Sequence, residues 1–234
     1  MAAVPAALVV GVRGPVGEAI AAGLLDRGFR VIGCGRTAPA GTLDVEFRPV
    51  DVRDEDAVRR LFFDLDREFA VPEVIVLNAA RFSDRPIAMV SGEHIDDVLD
   101  TNVKGPLLVT REAIKALIRR NRPGRIVAIS SVAASRPLSG APLYGLSKGA
   151  LEHLVKSLPG ELVGRPITVN AIEIALFEGA GMAAGLREDT RESLLSGLSI
   201  RRPCRPSDLN NVVEFLTLPA SEYITGQVLR LGFV

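Results

Sequence analysis

The 234-residue chain has no excess of either charge, because its 28 lysine and arginine residues are balanced by 28 aspartate and glutamate residues. A balanced chain creates no long-range field that would attract nucleic acid or an anionic membrane. We therefore predict no nucleic-acid partner and no membrane partner. The only two cysteines, Cys34 and Cys204, are far apart in sequence and belong to no metal-spaced cluster, so we predict no metal site.

The sequence also lacks long apolar runs. None reaches the length of a transmembrane helix, and the N-terminal stretch has no basic leader of the kind found in secretion signals. We expect a reduced, cytoplasmic setting in which both cysteines are free thiols.

Predicted strands and helices alternate along the chain. Buried β-rich runs are predicted at 6–10, 30–34, 45–50, 74–77, 125–130 and 167–172, with a last strand near 228. One long helical region is predicted from Glu93 to Arg122, bent near Gly105, and another helix from Tyr144 to about Leu162. The alternation predicts one domain over residues 1–234, an α/β Rossmann-type doubly wound parallel sheet of about seven strands with helices on both faces.

A Tyr-x-x-x-Lys pair follows the central predicted strand. Ser130 and Ser131 lie where that strand ends, and Tyr144 and Lys148 open the next helix. Residues four apart share one face of a helix, so the ammonium of Lys148 would lie near the phenol. We expect this charge to lower the pKa of Tyr144 from its usual value of about 10 and to make it an acid near neutral pH.

The alternative is that Tyr144 only packs in the core, as most helical tyrosines do. With two tyrosines and four lysines in the whole chain, a chance pairing at this spacing is uncommon. The strand before the pair and the helix after it favour the catalytic interpretation.

A glycine-rich turn follows the first predicted strand. Gly11, Gly14 and Gly17 lead into a helical pattern. Glycines allow the backbone to approach a pyrophosphate, and the free N–H groups of a helix start face it. The turn therefore indicates dinucleotide binding.

Together these motifs resemble the short-chain dehydrogenase/reductase family, in the branch of the 3-oxoacyl-carrier-protein reductases. The resemblance covers essentially the whole chain and implies the reduction of a ketone to a secondary alcohol, or the reverse. The catalytic residues that it implies are Asn102, Ser131, Tyr144 and Lys148. The cofactor-binding residues that it implies are Gly11, Arg13, Gly14, Val16, Gly17, Arg36, Asp51, Val52, Asn78, Ala79, Tyr144, Lys148 and Phe177.

The sequence departs from the family pattern at three places. Pro15 stands where the middle glycine of the turn is usual, and Ala80 replaces the glycine of Asn-Ala-Gly. The segment after the sixth predicted strand lacks the family's Pro-Gly and Thr, which leaves the backbone at Phe177 to hold the nicotinamide carboxamide.

The resemblance implies NADP(H) rather than NAD(H). Gly35 occupies the position at which NAD-preferring members carry aspartate, and Arg36, with Arg13, suits a 2′-phosphate. The alternative is that both arginines are ordinary surface residues.

The substrate is open between a carrier-protein thioester and a free secondary metabolite. Residues 178–206 are predicted to form a substrate lid that includes Met182, Leu186, Leu194 and Leu195. The cluster of Arg119, Arg120 and Arg122 is either a solvated helix end or a docking site for an acidic partner. The family further implies a homo-oligomer, a dimer or a tetramer.

A rival from a different class is a non-catalytic scaffold or nucleotide-sensing module. The three departures favour it, whereas the intact set of four catalytic residues favours the enzyme.

Overall fold

A computed structural model describes residues 4–68, 70–179, 192 and 195–232. Seven parallel strands form one sheet in the order β3-β2-β1-β4-β5-β6-β7. Their bounds are β1 Ala6–Val10, β2 Arg30–Gly35, β3 Glu46–Pro49, β4 Val74–Leu77, β5 Gly124–Ser131, β6 Ile167–Ile174 and β7 Val228–Arg230. The predicted fold class is confirmed.

Helices cover both faces of the sheet. Those described are α1 Pro15–Asp26, α2 Glu55–Arg67, α3 Gly92–Leu99, α4 Gly105–Arg119, α5 Pro142–Glu161 and α6 Pro206–Thr217. One apolar layer packs mainly under α2, α4 and α5, and the other under α1 and α6. The central strands are buried along their whole length, as expected of a parallel sheet covered on both sides.

The predicted helical region from Glu93 to Arg122 is interrupted. A π-helical segment, Asp100–Lys104, joins α3 to α4. The sequence predicted a bend near Gly105, and the structure has this π-helical segment directly before that residue. Such π-helical turns inside α-helices are frequent at functional sites.

The strand β6 extends two residues beyond its predicted end. It pairs with β5 from Ile167 through Ile174, so that Ser130 lies opposite Glu173 and Ser131 opposite Ile174. The helix α5 begins two residues before its predicted start, at Pro142, and ends at Glu161, next to its predicted end.

The basic cluster after α4 is paired within the molecule. Arg119 and Arg120 bind Asp66 of α2, and Arg122 binds Glu73. These pairs support a structural role for the cluster rather than a docking site.

The edge strand β3 is short and charged. Its Glu46 binds Arg30 and Arg48, and Arg48 also binds Glu68 at 2.7 Å. Both cysteines are free thiols, as expected. No helix in the described ranges is long and apolar enough to cross a membrane.

The start of α2 provides a test of the fold. Asp54 caps it by accepting hydrogen bonds from the backbone N–H groups of Asp56 and Ala57. We expect Asp54→Ala to lower the free energy of unfolding by about 1 kcal/mol, because two N–H groups lose their acceptor. Urea denaturation followed by circular dichroism measures this loss. Asp54→Asn keeps an acceptor and is the control, and an equal loss in both variants would contradict the capping role.

Candidate active site

A cavity of about 430 Å³ lies at the carboxyl ends of the strands. It runs from the glycine turn after β1, past the ends of β2 and β4, to the end of β5 and the start of α5. In an open parallel sheet this edge is where ligands bind, because the strand order reverses there.

The glycine turn has little room for side chains. A Cβ at Gly11, whose φ is 79°, would lie 2.6 Å from the backbone of Ala79, and a Cβ at Gly17 would lie 2.3 Å from the carbonyl oxygen of Gly11. Asn78 fixes the turn from the other side by donating from Nδ2 to that same carbonyl oxygen at 2.7 Å. The turn, the end of β4 and the start of α1 are therefore in tight contact.

Pro15 fits the turn without distorting it. It is the first residue of α1, where a missing N–H costs the helix nothing, and Gly14 before it has a φ of 101° that favours glycine. The N–H groups of Val16 and Gly17 belong to the first helical turn, in which backbone donors have no partner within the helix. These donors suit a pyrophosphate.

The far end of the cavity is rich in arginine. Arg13, Arg36 and Arg53 line it together with Asp51. Arg53 binds Asp51 at 2.7 Å and Asp97 at 2.8 Å, and its hydrogen bonds hold the pKa of the Asp51 carboxyl below its usual range. Arg53 was not predicted from the sequence, although its place two residues after Asp51, a predicted cofactor-binding residue, was a usable signal.

The end of β5 and the start of α5 form the near end of the cavity. Ser131 makes a hydrogen bond to Tyr144, and Lys148 donates from Nζ to the carbonyl oxygen of Ile129 at 2.8 Å. Tyr144 and Lys148 are 3% exposed, and the ammonium lies 5.8 Å from the centroid of the tyrosine ring. Phe82 meets the same ring edge-on at 5.0 Å.

The expected lowering of the Tyr144 pKa is wrong for this structure. Burial raises the pKa of Tyr144 to about 12, and the hydrogen bond with Ser131 opposes that rise only in part. Burial also lowers the pKa of Lys148 to about 8, against the opposing charge of Glu152. The cost of burying both groups shifts these pKa values, and a charge four residues away in sequence does not reveal that cost.

Asn102 lies behind the cavity rather than on its wall. It occupies the π-helical segment, where its side chain accepts from the backbone N–H of Arg81 at 2.6 Å and donates to the carbonyl oxygen of Arg81 and to Ser147 Oγ, both at 2.9 Å. Its neighbour Thr101 lines the cavity. Asn102 thus ties the π-helical segment to Arg81 and to Ser147 of α5, the residue before Lys148.

Comparison with known proteins agrees with this geometry. A family model described as enoyl-(acyl carrier protein) reductase matches residues 11–231. The chain is a short-chain dehydrogenase/reductase.

Named relatives place the protein more closely within this family. The 3-oxoacyl-(acyl-carrier-protein) reductase FabG of Staphylococcus aureus strain Mu50 is 30% identical over 97% of this chain and 96% of its own length. The enzyme of the same name from Escherichia coli strain K12 is 28% identical over 97% and 95%. A crystal structure of a variant actinorhodin polyketide ketoreductase with NADPH superposes with a TM-score of 0.87 at 27% identity, over 99% of this chain and 97% of that one.

Most residues predicted for this short-chain dehydrogenase/reductase site line one cavity. Of the catalytic set, Ser131, Tyr144 and Lys148 line it and Asn102 does not. The cofactor-binding predictions that line it are Gly11, Arg13, Gly14, Val16, Gly17, Arg36, Asp51, Val52, Asn78, Ala79, Tyr144 and Lys148.

Phe177 is the remaining cofactor-binding prediction, and it does not line the cavity. Its side chain is buried in the apolar layer under α1 and α6, and its backbone pairs with Cys204. Because β6 continues to Ile174, that residue lines the cavity instead. Ala80 also lines it, so its extra methyl group leaves the cavity open.

The predicted lid lies largely outside the described residues. Met182, Leu186 and Leu194 are among the residues that are not described, whereas Leu195 is. In the described part of the chain, no cluster of three histidine, cysteine, aspartate or glutamate residues is arranged to hold a metal ion.

The lowered pKa of Lys148 predicts a pH-dependent contribution to stability. Between about pH 8 and its ordinary value of 10.5, the unfolded chain retains a proton that the folded protein has lost. This contribution to the free energy of unfolding therefore rises with pH across that interval. Relative to wild type, the stability of Lys148→Met should fall by about 2 kcal/mol from pH 7 to pH 9.5.

Urea denaturation at a series of pH values tests this expectation. Lys115→Met removes a lysine whose side chain is 58% exposed and serves as the control. A pH-independent difference between Lys148→Met and wild type would show that the lysine is not perturbed by burial.

Proposed function

We propose that the protein catalyses the NADPH-dependent reduction of a ketone to a secondary alcohol, or the reverse reaction. The observation that carries the proposal is the contact of Ser131 with Tyr144 at the wall of a cavity whose other end is a glycine turn. A nicotinamide cofactor held in the cavity supplies the hydride for the carbonyl carbon.

Tyr144 supplies the proton to the carbonyl oxygen. Because burial raises its pKa to about 12, the phenol is protonated at neutral pH but is a weaker acid than usual. The transfer is still favourable, because the alkoxide that develops on the substrate is a stronger base than the phenolate. Ser131 positions the same oxygen by hydrogen bonding, and this contact strengthens as negative charge develops on the oxygen. After the transfer, the phenolate is stabilised by the nearby ammonium of Lys148 and regains a proton from solvent.

Lys148 and Asn102 serve the proton path. Lys148 lies within the cavity wall, where its ammonium is suited to a ribose hydroxyl. Asn102 holds the turn of chain at Arg81 and the helix at Ser147, so it fixes the route by which water reaches Lys148.

The arginines favour the phosphorylated dinucleotide. Arg13 and Arg36 line the far end of the cavity, while Gly35 offers no carboxylate to bind unmodified ribose hydroxyls. The negative charge of Asp51 is already compensated by Arg53, so it does not oppose a 2′-phosphate strongly. The related ketoreductase structure contains NADPH.

An acyl thioester is the substrate class that the relatives favour. Two of them are named as 3-oxoacyl-(acyl-carrier-protein) reductases and one as a polyketide ketoreductase. We infer a β-keto thioester carried by a protein or by a smaller pantetheine. The cytoplasmic setting, the homo-oligomer and the substrate lid stay predictions.

Replacement of the proton donor tests the reaction. Tyr144→Phe should lower kcat at least about 100-fold, because the general acid is lost while the ring remains packed. The measurement is NADPH oxidation with a panel of β-keto thioesters and cyclic ketones. Tyr223→Phe is a matched control, because Tyr223 is the other tyrosine of the chain and is 99% exposed. Turnover by Tyr144→Phe at the wild-type rate would remove this assignment.

Replacement of Arg36 tests the cofactor preference. Arg36→Ala should weaken NADPH binding by at least about 10-fold and leave NADH binding unchanged, because only NADPH has a 2′-phosphate for the guanidinium to bind. Isothermal titration calorimetry measures both affinities, and Arg60→Ala on the exposed face of α2 is the control. Equal effects on both dinucleotides would contradict the preference. No binding of either dinucleotide to the wild type would instead favour the non-catalytic scaffold.

A further inference from the structure

A buried carboxylate, Glu152, lies on the helix of the proposed proton donor, one turn beyond Lys148, without a part in the reaction described above. It follows Lys148 by four residues on α5, as Lys148 follows Tyr144, so the three side chains share one face of the helix. Glu152 is 5% exposed. Burying a carboxylate is costly unless charge or hydrogen bonds compensate it, so its contacts indicate its role.

The contacts of Glu152 fix it to the strand that carries Ser131. Ser130 donates from Oγ to Glu152 Oε1 at 2.7 Å. On the outer side, the exposed Lys156 approaches Oε2 at 3.6 Å. Three consecutive residues of β5, from Ile129 to Ser131, thus hold three successive turns of α5 through Lys148, Glu152 and Tyr144.

The other charged groups around Lys148 are engaged elsewhere. The helix α5 packs against β5, β6, α3, the π-helical segment and the turn after Ser131. Among these elements, Arg125 lies at the far end of β5, and Glu173 of β6 binds Ser135 and Arg230. In the π-helical segment, Asp100 and Lys104 pair with each other. In α3, Asp97 pairs with Arg53 and Arg81, and His94 binds Ser83. The two remaining charged residues of α3, Glu93 and Asp96, are exposed.

We propose that Glu152 is a positioning residue that acts as the counter-charge of Lys148, keeps the buried ammonium protonated, and so determines the alkaline limit of the reaction. Both side chains are buried on one face of α5 and bind neighbouring residues of β5, Lys148 the carbonyl oxygen of Ile129 and Glu152 the hydroxyl of Ser130. Burial disfavours the ammonium, and the charge of Glu152 opposes that effect from this position. The kinetic consequence rests on the proposed function. The protonation state of Lys148 does not, and it can be measured directly.

The four lysines of the chain make this measurement practical. In protein labelled with carbon-13 at lysine Cε, each lysine gives one NMR signal, and the Lys148 signal is the one missing from Lys148→Met. We expect its titration midpoint near pH 8 in the wild type. In Glu152→Gln, which still accepts the hydrogen bond from Ser130, the midpoint should fall by about 1 pH unit. An unchanged midpoint would overturn the proposal.

Two further variants keep the test independent of misfolding. Glu173→Gln neutralises the other buried carboxylate at this edge of the sheet and should leave the Lys148 midpoint unchanged. Lys156→Gln changes a side chain that is 55% exposed and removes the ion pair that Lys156 makes with Glu152. The charge of Glu152 then acts more strongly on Lys148, so the titration midpoint of Lys148 should rise. Two results would show that Glu152 is not the specific counter-charge. One is a lower Lys148 midpoint in Lys156→Gln, and the other is a fall of the Lys148 midpoint in Glu173→Gln as large as that in Glu152→Gln.

Enzyme kinetics provide the second readout. The alkaline limb of kcat/KM for NADPH-dependent reduction should move to lower pH in Glu152→Gln and stay in place in Glu173→Gln. If the Lys148 midpoint falls in Glu152→Gln but neither the wild type nor any variant reduces a substrate, the reductase assignment is refuted and the role of Glu152 as counter-charge is retained. A moved midpoint with an unmoved kinetic limb would refute the control of the reaction by Glu152.

Discussion

The junction between β5 and α5 is the constraint on which the site depends. A strand that ends in two serines is joined to a helix by a hydroxyl contact to Tyr144, a carbonyl contact to Lys148 and a hydroxyl contact to Glu152. Each contact alone is modest, but all are buried, where polar groups without partners are costly. The groups proposed to react are therefore positioned by the same bonds that hold the helix on the sheet.

The other elements around the cavity would hold the proposed cofactor next to that junction. The glycine turn, Asn78 and the backbone of Ala79 are in contact, so the loops after β1 and β4 form one rigid floor. The π-helical turn places Asn102 behind the wall, where it links Arg81 to Ser147. The proposed cofactor-binding floor and the proposed proton path thus meet at α5.

Much of the fold was predictable because the sequence signals are local. The alternation of buried strands and amphipathic helices gave the parallel sheet, and motif spacing brought all but Asn102 and Phe177 of the predicted residues to one cavity. What failed depends on non-local burial. The end of β6 at Ile174 is set by pairing with Ser131, and the pKa of Tyr144 is set by neighbours from several elements. Neither is visible in a linear pattern.

The outer strand β3 has a consequence for the behaviour of the protein in concentrated solution. Its free edge carries Glu46 and Arg48 and ends at Pro49, which has no N–H to offer. Another chain that tried to extend the sheet there would have to separate the Glu46 ion pairs and would find a donor missing. This side of the sheet is thereby protected against strand-to-strand aggregation.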